Sequence, residues 1–103
     1  MKYCMIETAF DNEEELKKVI EKLLSEKLVS GCQVVKSNSK WRWNNEIEKS
    51  DEYLLFMKTK YSLQEKVYLA IKDIHSYDCF EFAVFEISSF NNDYLNWIDE
   101  ETI

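Results

Sequence analysis

Lys40-Trp41-Arg42-Trp43-Asn44-Asn45-Glu46-Ile47-Glu48 is the stretch on which the fold turns. Asparagine tolerates positive φ, so Asn44-Asn45 reads as a tight turn between two extended segments. Upstream, Lys40 to Trp43 is extended, preceded by a polar bend at Ser37-Asn38-Ser39 and a strand over Cys32 to Lys36. Downstream, Glu46 to Lys60 predicts one long strand carrying the apolar run Tyr53-Leu54-Leu55-Phe56-Met57. The hairpin lies at the centre of the chain, and a helix is expected on each side of it.

On the N-terminal side, Lys2 to Thr8 is β-branched and aromatic enough for a first strand. Asp11 or Asn12 opens a helix, and Leu16, Val19, Ile20, Leu23, Leu24 and Leu28 recur at the spacing of one buried stripe. Glu13-Glu14-Glu15 reads as a solvated first turn facing the positive end of the helix dipole. Gly31 stands where a helix cap is expected. On the C-terminal side, Ser62-Leu63-Gln64-Glu65 has capping-box form, and Leu63, Val67, Ala70, Ile71 and Ile74 predict a second amphipathic helix. Phe80 to Ile87 predicts a strand, and Asn92 or Asp93 caps a short helix through Tyr94, Leu95, Trp97 and Ile98. The order βαββαβ plus a terminal helix implies an α+β, ferredoxin-like sandwich as a single domain over residues 1–103.

Composition narrows the function classes. Apolar residues make up 46% of the 103, enough for a modest core, and no linker or repeat interrupts the order. Twenty Asp and Glu against thirteen Lys and Arg give a net charge of −7, which repels phosphate backbones and anionic lipid. Neither a nucleic-acid partner nor a membrane partner is expected. The N-terminal residues run into acidic Glu7 without a signal-peptide core, so a cytoplasmic location is expected. Cys4, Cys32 and Cys79 are odd in number and lack C-x-x-C spacing, which argues against a disulfide framework and a thiolate zinc site.

Two stretches carry possible chemistry. In Trp41-Arg42-Trp43, both indoles share one strand face and Arg42 takes the other. The indoles read as packing, within the domain or between subunits, or as the lining of a ligand cleft; Arg42 suits an anion. His75-Ser76-Tyr77-Asp78-Cys79-Phe80-Glu81 is the densest group of reactive side chains. His75 and Cys79 suit a borderline or soft cation, and they read equally as a helix-end histidine and a small thiol. No nucleophile has a visible base and orienter, and no phosphate loop is present, so no enzyme is expected. The alternatives are catalysis on a small polar substrate by His75 and Glu81, and a structural or partner-binding role without ligand.

These residues together resemble the CutA divalent-cation tolerance proteins. The resemblance runs from Ile6 to Trp97. It is carried by Thr8-Ala9, Glu26-Lys27-Leu28-Val29-Ser30-Gly31-Cys32 and Trp41 to Glu48 with Trp43 at the family's tryptophan. Lys58-Thr59, His75-x-Tyr77-x-x-x-Glu81 and Tyr94-Leu95-Asn96-Trp97 complete it. Ser76 and Phe80 replace the family's prolines. Glu7 replaces a cysteine implicated in copper binding in some members, and Ile74 a second histidine. The resemblance implies a homotrimer whose inter-subunit clefts gather Trp41, Trp43, Tyr77, Glu81 and Trp97. It also implies a divalent cation such as copper or zinc, or a small ligand, with His75, Glu7 and Cys79 as the metal-ligand candidates.

Overall fold

In the computed structural model, which describes residues 2–103, the elements follow the predicted order with different boundaries. They are β1 (Tyr3–Phe10), α1 (Glu13–Ser25), β2 (Gly31–Trp43), β3 (Glu46–Lys60), a 3₁₀ turn (Tyr61–Leu63), α2 (Gln64–Lys72), β4 (Phe82–Glu86) and α3 (Asn92–Glu101). The antiparallel sheet runs β2-β3-β1-β4, which is the ferredoxin-like order. On one face, Ile6, Phe10, Leu55 and Met57 pack against Leu16, Val19 and Leu23 of α1 and Val67 and Ile71 of α2 to form the core. By strand alternation the other face carries Met5, Glu7, Leu54, Phe56 and Val35.

The local chemistry explains where the elements start and stop. Asn12 caps α1, its Oδ1 accepting from the Glu15 backbone N–H at 3.1 Å. The helix ends in a Schellman arrangement: Leu28 N–H donates to Leu23 O at 2.9 Å and Lys27 N–H to Leu24 O at 3.1 Å. The left-handed residue there is Lys27, with φ 58°. Gly31 is therefore not the cap; it begins β2, where an added Cβ would lie 3.3 Å from Trp97 Cη2. Lys27→Gly is expected to stabilise the fold by about 0.5–1 kcal/mol in chemical denaturation, because glycine enters this region without the Cβ clash.

Three further boundaries differ from expectation. Ser62 does not cap α2; the chain enters through the 3₁₀ turn, without a side-chain cap bond. Asn91 precedes α3, likewise without a side-chain cap bond, so neither Asn92 nor Asp93 is the capping residue. The bend at Ser37-Asn38-Ser39 is absent, because its polar side chains are satisfied in extended form. Asn38 Nδ2 donates to Asp51 Oδ1 at 2.6 Å across the ladder, and the Ser37 and Ser39 hydroxyls meet at 3.1 Å.

β2 and β3 consequently form one ladder from Gly31↔Lys58 to Trp43↔Glu46, closed by Asn44 and Asn45 at φ 51° and 65°. β1 accompanies β3 only as far as Phe10↔Tyr53. Beyond that pair the two strands continue as a projecting arm. The Cα radius of gyration is 14.3 Å, above the roughly 13 Å of a compact chain of about this length.

Candidate functional site

The arm and the segment between α2 and β4 enclose an open groove of about 780 Å³. Trp41 and Trp43 line it from β2, Glu48 and Glu52 from β3, and Tyr77, Cys79 and Glu81 from the connecting segment. Pairing of Trp41 with Glu48 and Trp43 with Glu46 puts these four on one face of the ribbon. Four of the five expected cleft residues thus meet in one place. Trp97 does not: it lies over Gly31 at the far end of β2 and contacts Tyr94 edge-on at 5.3 Å.

Glu52 is the residue that sequence reasoning missed. Its side chain is buried, and Oε2 accepts from the Tyr77 hydroxyl at 3.0 Å. Burial, then this hydrogen bond and the charges of Glu52 and Asp11, push the Tyr77 phenol well above its ordinary value of 10. Tyr77 therefore stays protonated and donates. Glu52 had one legible signal: it shares strand parity with the apolar Leu54 and Phe56, so a carboxylate continues an apolar row.

Glu81 and Glu7 form the second polar feature. Burial first, then a hydrogen bond with Glu7 and the charges of Glu7 and Glu52, raise the Glu81 carboxyl above its ordinary 4.5. A raised carboxyl binds its proton more tightly folded than unfolded, so stability declines as pH rises from about the ordinary value through the folded one. Glu81→Gln is expected to flatten that slope and raise stability at neutral pH. Thermal melts of both chains from acid to neutral pH measure it, and parallel pH profiles would show that the pair is not coupled.

His75 is not in the groove. Its side chain is 1% exposed and its ring stacks on Phe10 at 4.3 Å and on Phe80 at 4.7 Å. Nε2 lies 2.7 Å from Ala9 O, and Nδ1 is 3.2 Å from the Tyr77 backbone N–H. A carbonyl only accepts and a backbone N–H only donates, so the ring is neutral with its proton on Nε2. Both nitrogens are in use, and no lone pair is free for a metal. Glu15, 3.9 Å from Nδ1, instead accepts from the Ser76 backbone N–H at 2.8 Å. The acidic first turn of α1 is thus more than solvated surface: Glu15 fastens this segment, and Glu13 accepts from the Tyr53 hydroxyl at 3.2 Å.

The ligand set His75, Glu7 and Cys79 is not assembled within the chain. Among the described residues no three His, Cys, Asp or Glu side chains form a metal-holding group. Glu7 has the strand parity opposite to Phe10, on which His75 stacks, so the sheet lies between them. Cys79 is exposed in the groove, away from the buried ring. Burial pushes the Cys4 and Cys32 thiols up to about 11, which disfavours thiolate ligation by either. The pairing of His75 with Glu81 as base and acid meets the same obstacle, because the imidazole does not reach the groove.

A family profile described as CutA1 divalent ion tolerance protein matches residues 4–101. The chain belongs to the CutA1 family. It is 31% identical over 98 residues to the divalent-cation tolerance protein CutA of Pyrococcus horikoshii, covering 95% of this chain and 96% of that one. Against the CutA of Thermus thermophilus it is 32% identical over 91 residues, covering 86% and 88%. The solved CutA1 of Oryza sativa superposes with a TM-score of 0.95 at 27% identity, over 100% of this chain and 95% of that one. A crystal structure of CutA1 from Pyrococcus horikoshii gives 0.92 at 29% identity, over 97% and 98%. These CutA1 folds match the arm as well as the sandwich, since the superpositions cover almost the whole chain.

Proposed function

We propose that this CutA1-family chain is a cytoplasmic, non-catalytic homotrimer that binds a divalent cation or a small polar ligand in the grooves where subunits meet. One observation carries the reading: Trp41 and Trp43 of the arm line one groove with Tyr77 and Glu81, and the buried carboxylate of Glu52 in that groove accepts from the Tyr77 hydroxyl. An isolated two-stranded ribbon is marginally stable in water, so an arm of this length calls for cover by another subunit. Half-exposed Trp43, with Val35 and Phe85 on the open sheet face, supplies apolar surface for that contact.

Copper held by His75 does not fit, because both ring nitrogens are already bonded. What the groove offers a cation is oxygen, from Glu52 and Glu81. Such donors select weakly among divalent ions, and one chain supplies too few to close a coordination shell. The test combines sedimentation with calorimetry at neutral pH, using zinc and divalent copper separately. A species of three chain masses is expected, with modest binding retained in His75→Gln and lost when Glu52→Gln and Glu81→Gln are combined. Tight binding abolished by His75→Gln would return the imidazole to the metal site and overturn this assignment.

A further inference from the structure

The groove holds aromatic surface that an inorganic ion has no use for. Trp41 and Trp43 stand two residues apart on one face of β2, and Trp41 pairs with Glu48, so an indole lies beside a carboxylate. Glu52 follows Glu48 by four residues on the same face of β3, about 13 Å along the strand. Glu52 is only 9% exposed, yet it lines the groove. Its Oε2 accepts from the Tyr77 hydroxyl at 3.0 Å, and among the described residues no donor reaches its Oε1. A buried carboxylate oxygen beside an open groove is an acceptor waiting for a donor. Asp78 and Glu81 add two more carboxylates, and among the described residues none of the four is in an ion pair. Lys40 is the one basic residue in the lining against them.

We propose that the groove takes a linear aliphatic polyamine. One ammonium donates to Glu52 Oε1, the methylene chain runs along the Trp41 indole, and a second ammonium meets Glu48 between Trp41 and Trp43. The proposal rests on the ligand-binding reading above and names the chemical class of the ligand. A protonated amine uses both parts of the lining: its N–H groups donate to carboxylates, and an indole face attracts its charge. Its chain supplies apolar surface that a metal ion lacks. The two carboxylates stand too far apart for one small cation to meet both, and a chain with an ammonium at each end spans them. The net charge of −7 also raises the concentration of such cations around the molecule.

The test is calorimetry with spermidine, a linear triamine, at neutral pH and physiological ionic strength. The wild type should bind it at least about tenfold more tightly than magnesium or ammonium, since those ions carry charge without a chain. Glu52→Gln and Trp41→Ala should each weaken binding on the order of tenfold, and Lys40→Gln should tighten it severalfold. A control with Glu14→Gln and Glu21→Gln removes two exposed charges outside the groove and should change affinity by less than about twofold. Far-UV circular dichroism checks each fold; if Glu52→Gln or Trp41→Ala is unfolded, Glu48→Gln, at an exposed position, should weaken binding in its place. Spermidine that binds no more tightly than magnesium overturns the inference, as does a loss in the control equal to that in the groove variants. Sedimentation and the zinc and copper titrations on the same sample keep the two readings apart. A trimer that binds either metal without binding spermidine leaves the broader reading standing and overturns this one. A monomer that binds spermidine in the expected pattern supports this one and overturns the trimer.

Discussion

Phe10→Ala is expected to lower the free energy of unfolding by about 3–5 kcal/mol, measured by denaturant titration. Phe10 is fully buried at the end of β1, within the cluster that joins the sheet to α1 and α2. Its ring also forms one wall of the His75 stack, 4.3 Å away at an interplanar angle of 14°. Truncation therefore removes transfer free energy, leaves a cavity and takes a stacking partner from the imidazole. The effect should reach beyond the core. With one wall gone, the Tyr77 amide should exchange faster with solvent, because its bond to Nδ1 depends on the ring staying in place. A loss below about 1 kcal/mol would mean that neighbouring side chains collapse into the space, which the tight packing of protein interiors opposes.

His75→Ala comes second, with an expected loss of about 3 kcal/mol in the same titration. The imidazole satisfies Ala9 O at 2.7 Å and the Tyr77 N–H at 3.2 Å, and it fills the space between Phe10 and Phe80. Alanine leaves a cavity and two backbone groups without their partner. His75→Gln should recover part of the loss, since its amide offers both a donor and an acceptor. Near-wild-type stability of His75→Ala would show that the ring does not hold the segment between α2 and β4.

The hairpin, the first two helices and the order of elements were legible because each rests on local chemistry. Asn44-Asn45 supplies the turn, and the apolar run Tyr53 to Met57 gives the strand. The four groove residues Trp41, Trp43, Tyr77 and Glu81 were legible as well, through their resemblance to a family. The role of His75 was not, because sequence shows that an imidazole is present and not which atoms its two nitrogens meet. Glu52 escaped notice for a related reason. Its carboxylate is buried and bonded to Tyr77, a residue 25 positions away. Lys27 gave no signal, since lysine is a poor choice for a left-handed cap and only the two bonds closing the turn identify it. The single glycine was misread because its purpose is closeness to Trp97 rather than backbone freedom.

The two-residue turn at Asn44-Asn45 also indexes the arm. Side chains alternate along a strand, so inserting one residue at that turn would slip the pairing by one and rotate each affected side chain to the opposite side. Applied to β2, the slip would carry Arg42 onto the groove face and turn Trp41 and Trp43 away from it. Thirteen paired positions follow from that one connection, and Asn38 bound to Asp51 near the base of the arm acts as a second peg. The charge that each face presents is thus encoded less by the lysines and glutamates themselves than by the length of the loop between them.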